Sequence, residues 1–73
     1  MKYAVGMLLG AQTAYWYDDP PRGWAWTTQP ETATLLTRRE DAQLIIDGCP
    51  DLDAWIEEVP DTEAFVKRNE PLL

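Results

Sequence analysis

Carboxylates are the side chains of this sequence that could do chemistry most directly, since aspartate and glutamate act as acid–base pairs and as ligands of hard cations. The 73 residues contain 13 of them against six lysines and arginines, with no histidine and one cysteine. Asp51 with Asp53, and Glu57 with Glu58, are candidate pairs, but the ligand spacing and central glycine of a calcium loop are missing. Nothing in the sequence predicts a cleft that would hold two carboxyls in different environments. We therefore expect no catalytic residue, no metal and no cofactor.

Nucleophile and zinc chemistry are excluded as well. Zinc sites combine several cysteines and histidines, and serine triads need a histidine, whereas this chain has only Cys49. A disulfide within the chain is impossible for the same reason. Cys49 ends an apolar helical stripe, where a buried small hydrophobe is the usual role; an exposed thiol there could instead link two chains. The remaining class is a small binding protein.

The net charge of −7 is unevenly distributed. Residues 1–30 hold two acids and two bases, so residues 31–73 carry the whole net charge. No lysine or arginine interrupts the stretch from 41 to 63, which contains eight acids. These candidate partner-binding acids are Asp41, Asp47, Asp51, Asp53, Glu57, Glu58, Asp61 and Glu63.

The acidic stretch allows two interpretations. A solvated acidic face that maintains solubility is the usual one. Alternatively, a stripe of carboxylates can imitate the charge of a DNA backbone and occupy the basic surface of a nucleic-acid-binding protein. Direct nucleic-acid binding is disfavoured, because phosphates require lysine and arginine. The basic pairs Arg38-Arg39 and Lys67-Arg68 are expected to pair with surface acids.

Aromatic residues form a second candidate surface. Five of the chain's eight lie between positions 15 and 26. We expect Tyr15 and Tyr17 to share a sheet face with Trp24 and Trp26, while Trp16 points to the other face. Cross-strand aromatic pairs stabilise a sheet, but exposed tryptophan and tyrosine are also typical interface anchors. A partner-binding patch or a homodimer face is the functional interpretation.

Three strands are expected to position these aromatics. Lys2–Leu9 alternates large and small side chains, and Thr13–Tyr17 is rich in residues that favour strands. The run 18–23 is a turn signal with two prolines and a glycine, after which Trp24–Thr28 returns as a third strand. The sequence therefore predicts an antiparallel β-meander over about residues 2–28.

One principal helix is predicted over about residues 38–48. Thr37 and Glu40 fit a capping box at its start, and Gly48 and Pro50 end it. Its apolar stripe, which should cover one face of the meander, consists of Ala42, Ile45, Ile46 and Cys49. A short helical turn is expected before it, over residues 30–35.

The acidic C-terminal segment, 51–73, is harder to assign. Residues 54–59 fit an edge strand as well as a helix, because the spacing of apolar residues cannot distinguish the two in so short a segment. A short helix capped by Asp61 is expected to follow, up to Arg68. The fold class predicted for residues 1–73 is a single α+β domain: a three- to four-stranded antiparallel sheet with one principal helix packed on one face.

The N-terminal residues bear on location. Met1–Ala11 has some features of a secretory signal, but its apolar run, from Ala4 to Ala11, is short and holds two glycines. No run approaches the ~20 apolar residues of a membrane span. We expect a cytoplasmic protein that does not bind membranes.

The layout resembles that of very small phage and prophage proteins, among them several type I anti-CRISPR proteins. In these, a β-meander ends in a Trp-Thr step and the chain enters a helix through a Thr-x-x-Glu cap. The resemblance covers residues 3–46, favours a strand at 54–59 and carries over no residue with a defined role. The matching stretches are Tyr3-Ala4-Val5, Ala14-Tyr15-Trp16, Trp26-Thr27-Thr28 and Ala33 to Ala42.

The resemblance implies a phage-encoded inhibitor in the cytoplasm of a bacterial host. It would bind a CRISPR effector complex, a ribonucleoprotein with a basic nucleic-acid-binding surface, and block nucleic-acid binding through acidic DNA mimicry. The alternative is a small acidic interaction or regulatory module that dimerises through its aromatic sheet. Neither is an enzyme.

Overall fold

Four strands form one antiparallel sheet in the spatial order β3-β2-β1-β4. The computed structural model describes residues 1–69, so the last four residues of the predicted acidic segment 51–73 lie outside it. The predicted α+β fold with a four-stranded antiparallel sheet is confirmed. The strands are Lys2–Leu9 (β1), Gln12–Asp19 (β2), Gly23–Thr27 (β3) and Trp55–Val59 (β4).

The meander forms as expected, although β2 and β3 continue closer to their turn than predicted. Their last pair is Asp19 with Gly23. Gly10 lies in the β1–β2 turn with φ of 64°, a conformation that favours glycine because it has no Cβ. Residues 20–22 form the β2–β3 turn, and Arg22 N–H donates to the Asp19 carbonyl at 2.8 Å.

The sheet divides between β1 and β2, and a short stretch of chain fills the gap. The β1–β2 register runs from Gly6–Tyr15 to Leu9–Gln12. Closer to the N-terminus, Tyr3 instead exchanges two backbone hydrogen bonds with Leu36, each 2.7 Å long. We call residues 34–36 the inserted segment.

The inserted segment also holds β2. Thr34 N–H donates to the Trp16 carbonyl at 3.2 Å, and Asp18 N–H donates to Thr34 Oγ1 at 2.9 Å. The sequence predicted a helical turn over 30–35, but only Pro30–Thr32 forms a 3₁₀ turn. The difference arises because these sheet bonds hold the following residues extended.

Helix α1, Arg39–Asp47, is the predicted principal helix and packs mainly on β1 and β4. The predicted Thr37–Glu40 capping box is wrong, because the cap residue is Arg38 and no side chain of residues 1–69 makes a capping hydrogen bond there. Thr37 therefore lies one residue too early, and Glu40 Oε2 instead accepts a hydrogen bond from Arg38 Nε at 3.1 Å. A second 3₁₀ turn, Pro50–Leu52, follows.

Residues 54–59 contain strand β4, the assignment that the layout had favoured. Gly6 lies opposite Trp55 in the β1–β4 register, and a Cβ on Gly6 would lie 2.9 Å from the Trp55 indole. Glycine therefore lets the indole lie close to β1. Helix α2, Thr62–Asn69, follows. Its predicted cap is confirmed, because Asp61 Oδ1 accepts the Glu63 N–H at 3.0 Å.

The two helices cover opposite faces of the sheet. Ala4, Tyr15 and Val59 form a buried cluster with Phe65 of α2, so we call this side the α2 face. The rings of Tyr15 and Phe65 meet edge-to-face with centroids 5.0 Å apart, a geometry that contributes about 0.5–1.5 kcal/mol beyond area burial. Strand alternation puts Val5, Met7 and Ala14 on the other side, the α1 face, with the buried Ala42 of α1.

Replacing Thr34 with valine should destabilise the fold by about 1 kcal/mol, because it removes the acceptor of the Asp18 N–H while preserving side-chain shape. For a domain of this size, that lowers the melting temperature by roughly 4–8 °C. Thermal unfolding followed by circular dichroism measures the change. Thr32→Val is the matched control, since its hydroxyl makes only an exposed 3.5 Å contact with Gln29. Equal melting temperatures for the two variants would contradict the role of the inserted segment.

Candidate functional site

The acidic stretch of the sequence is not free of bases in space. Three of its eight members pair with bases from elsewhere in the chain. A fourth, Asp61, caps α2. Exposed pairs of this kind contribute about 0–1 kcal/mol each, but they reduce the charge offered to a partner. The three pairs are Glu57–Arg68, Glu58–Arg39 and Glu63–Lys67.

Glu57 is the least exposed of these paired acids. Its side chain is 24% exposed, and Arg68 Nη2 lies 3.1 Å from Oε2. Within residues 1–69 that buried oxygen has no hydrogen bond of good geometry, so the guanidinium compensates its charge by proximity. The Tyr15 hydroxyl hydrogen-bonds the same carboxylate. Glu57 therefore joins β4 to α2 and is poorly placed to meet a partner.

Four exposed aspartates of the stretch have no base within 4.0 Å among residues 1–69. They lie on α1, in the following 3₁₀ turn and just after it. Asp47 accepts a hydrogen bond from Gln43 Nε2 at 2.9 Å, which leaves its charge uncompensated. We call this set the aspartate segment: Asp41, Asp47, Asp51 and Asp53.

The basic side chains are already engaged. Among residues 1–69, five of the six lysines and arginines make ion pairs, and Lys2 makes none with another described residue. The expectation that Arg38-Arg39 and Lys67-Arg68 pair with surface acids is confirmed. Little unpaired positive charge therefore remains that could contact phosphate groups.

The predicted division of the aromatics between the two sheet faces is wrong. In the β2–β3 register Trp16 pairs with Trp26 and Asp18 with Trp24. The three tryptophans of β2 and β3 therefore share the α1 face, and Tyr15 and Tyr17 lie on the other. The reason is the three-residue turn, which pairs residues of like parity across the strands. Tyr15 is buried against Phe65 and cannot be part of an exposed patch. The rings of Trp24 and Trp26 meet edge-to-face, with their centroids 6.3 Å apart.

A groove opens on the α1 face between α1 and the tryptophans of β2 and β3. We call it the α1–β3 groove. Its volume is about 300 Å³. Leu44 is 69% exposed and Trp24 is 53% exposed, and contiguous exposed apolar surface of this kind commonly marks a binding site. The groove is lined by Trp16, Trp24, Leu44, Ile45, Gly48 and Cys49.

Acidic side chains stand beside the groove. Asp18 lies directly opposite Trp24 on the same face. Asp41 precedes Leu44 and Ile45 by three and four residues on α1, a spacing that puts all three on one side of the helix. Within residues 1–69 neither aspartate makes an ion pair. The groove therefore combines an apolar floor with negative charge.

Sequence reasoning did not find the groove, although one signal pointed to it. Leu44 does not belong to the apolar stripe predicted for α1. It is an apolar residue on the solvent-exposed side of a helix that packs on the sheet. Cys49, expected as a buried small hydrophobe, is half-buried and contributes to the groove wall. Cys49 is a free thiol, and a disulfide between two chains through it stays a prediction.

Residues 1–69 contain no group of three or more cysteine, aspartate or glutamate side chains arranged to hold a metal ion. None of the helices in that range is long and apolar enough to cross a membrane.

Alkaline pH should destabilise the fold through Tyr15. Burial above all, and then the charge of Glu57, raise the pKa of Tyr15 from 10.0 to about 12. The folded state holds this proton more tightly than the unfolded state, so the stabilisation is complete below pH 10 and is lost as the pH rises through 12. Tyr15→Phe should flatten the fall in the free energy of unfolding over that range, measured by urea titration.

Tyr17→Phe is the matched control, because Tyr17 is half-buried on the same face of β2. This variant should keep the fall seen in the unmodified protein. If both variants flatten the pH dependence equally, Tyr15 is not its source.

Comparison with known proteins adds no assignment to these surfaces. No protein-family model, curated protein or solved structure matches the chain. The resemblance to small phage proteins therefore stays a prediction, and the function has to be inferred from the aspartate segment and the α1–β3 groove.

Proposed function

We propose that the protein is a binding inhibitor whose aspartate segment docks on the basic nucleic-acid-binding surface of a partner protein. The observation that carries the proposal is the imbalance of unpaired charge. Within the described residues 1–69, five of the six bases make ion pairs, whereas four exposed aspartates of one continuous stretch make none. A surface with this charge is complementary to a site built to hold phosphates.

Charge and bulk would act together. An acidic surface steers association with a basic cleft, and salt weakens that attraction because the Debye length is only about 8 Å at physiological ionic strength. The body measures 32 × 28 × 25 Å, so its long axis corresponds to about nine base pairs of duplex at 3.4 Å each. A molecule of this size seated in the cleft excludes nucleic acid sterically.

The acids proposed to contact the partner are fewer than the sequence had suggested. Glu57, Glu58, Glu63 and Asp61 serve the fold through ion pairs or capping. The aspartate segment remains as the DNA-mimicking surface. That the partner is a CRISPR effector complex of a bacterial host, and that the chain is phage-encoded, remain predictions from the layout resemblance.

A second function, a regulatory module that dimerises through its aromatic sheet, is supported by one observation. Strand β3 lies at a sheet edge, carries no charged residue and exposes Trp24. An uncharged edge lacks the usual protection against pairing with another strand. Sedimentation at several concentrations tests this function: a concentration-dependent dimer that ignores basic proteins at low salt would favour it over inhibition.

Neutralising the aspartate segment should abolish inhibition. In D41N/D47N/D51N/D53N, four charges are removed without loss of hydrogen-bonding capacity, so we expect at least a tenfold weaker block of DNA binding by a type I CRISPR effector complex. The measurement is an electrophoretic mobility shift of target DNA at two salt concentrations. High salt should weaken inhibition by the unmodified protein as well, because the attraction is electrostatic.

The matched control removes the same number of charges elsewhere, in D19N/E31Q/E40Q/E63Q. These acids lie outside the aspartate segment, and three of them already pair with a base. This variant should inhibit nearly as well as the unmodified protein. Equal losses of inhibition in both variants would show that inhibition depends only on net charge. Full inhibition by the first variant would overturn the proposal.

A further inference from the structure

We infer that the α1–β3 groove is an anchor site for a basic protein segment, in which one leucine or aromatic side chain enters the groove between flanking arginines or lysines. The inference rests on the proposed function, because it specifies the chemistry of the partner. It names a second contact, which shares only Asp41 with the aspartate segment and would give the complex apolar affinity in addition to charge.

The composition of the groove selects an apolar anchor. Trp16, Trp24 and Leu44 are among its lining residues, and buried leucine or aromatic side chains are the usual source of binding energy in such a pocket. Its volume of about 300 Å³ is at the lower end of the range for ligand clefts. A groove of this size suits one side chain of a peptide segment better than a large cofactor.

The charge beside the groove selects the flanking residues. Asp18 faces the same side as Trp24 across the β2–β3 ladder, and Asp41 lies one helical turn before Leu44. Both acids are exposed and unpaired within residues 1–69. An arginine or lysine next to the anchor can pair with either aspartate, and a guanidinium can also stack on the exposed Trp24 ring.

A core role for the groove does not account for its exposure. Helix α1 packs mainly on β1 and β4, and its buried residue is Ala42. Leu44 points away from that contact and is 69% exposed. Leu44 and Trp24 therefore remain available for a partner while the core of the α1 face stays packed.

The test uses defined peptides, so it does not depend on finding the natural partner. The probe is a blocked peptide of eight residues with a central leucine flanked by two arginines on each side. Matched peptides replace the leucine with serine, or the four arginines with glutamines. Binding to the unmodified protein is followed by amide chemical-shift changes in a ¹⁵N-labelled sample, with shifts expected at the groove.

Three single substitutions locate the site. Leu44→Gln removes an exposed apolar wall and Asp18→Asn removes a charge outside the aspartate segment, so each should weaken binding of the leucine peptide at least fivefold. Leu8→Gln is the matched control, because Leu8 is 63% exposed but lies on the opposite face of the sheet. It should bind as the unmodified protein does, and thermal unfolding confirms that each variant is folded.

The outcomes separate this inference from the proposed function. Weaker binding by L44Q and D18N, together with loss of binding when the peptide leucine becomes serine, supports the anchor site. No binding of the leucine peptide at millimolar concentration, or equal binding by all three variants, overturns it. Inhibition that depends on the aspartate segment can persist in that case, whereas failure of the aspartate variant to lose inhibition overturns the proposed function instead.

Discussion

Strand β1 needs hydrogen-bond partners along both edges, and the rest of the structure is arranged around that requirement. Strand β4 pairs with the first half of one edge. On the other edge β2 pairs with residues 6–9, and the inserted segment supplies the partner of Tyr3. The inserted segment lies between β1 and the second half of β2. The tryptophans of β2 and β3 are therefore separated from β1 and β4, the strands that α1 covers. The α1–β3 groove results from that separation.

A chain of this size can bury only about 60% of its unfolded surface, and it uses both faces of one sheet to do so. On the α2 face, Tyr15 and Phe65 provide the largest buried side chains, and the Glu57–Arg68 pair joins strand to helix beside them. The α1 face buries smaller residues and leaves its tryptophan side open. Stability and the candidate binding surface are therefore largely assigned to opposite faces, which allows exposed groove residues to change without disturbing the main aromatic contact.

Local signals predicted much of the architecture. Alternation identified β1, the proline–glycine turn identified the β2–β3 connection, and Asp61 was found as the cap of α2. The capping box at Thr37 failed because the motif is short and the helix begins one residue later than the motif required. The aromatic faces were misassigned because a turn one residue longer or shorter reverses every side chain of the next strand. Neither error changes the fold class, but the second one hid the groove.

The sequence by itself determined the fold class, the shortage of positive charge and the acidic character of residues 31–73, because composition and periodicity are properties of the chain. Only the tertiary structure decided which acids remain available. Arg39 and Arg68 are distant along the chain from Glu58 and Glu57, and the packing of α1 and α2 on the sheet brings each pair together. The same packing exposes Leu44 beside Trp24. Such contacts depend on the register and crossing of separate elements, which no local pattern of residues specifies.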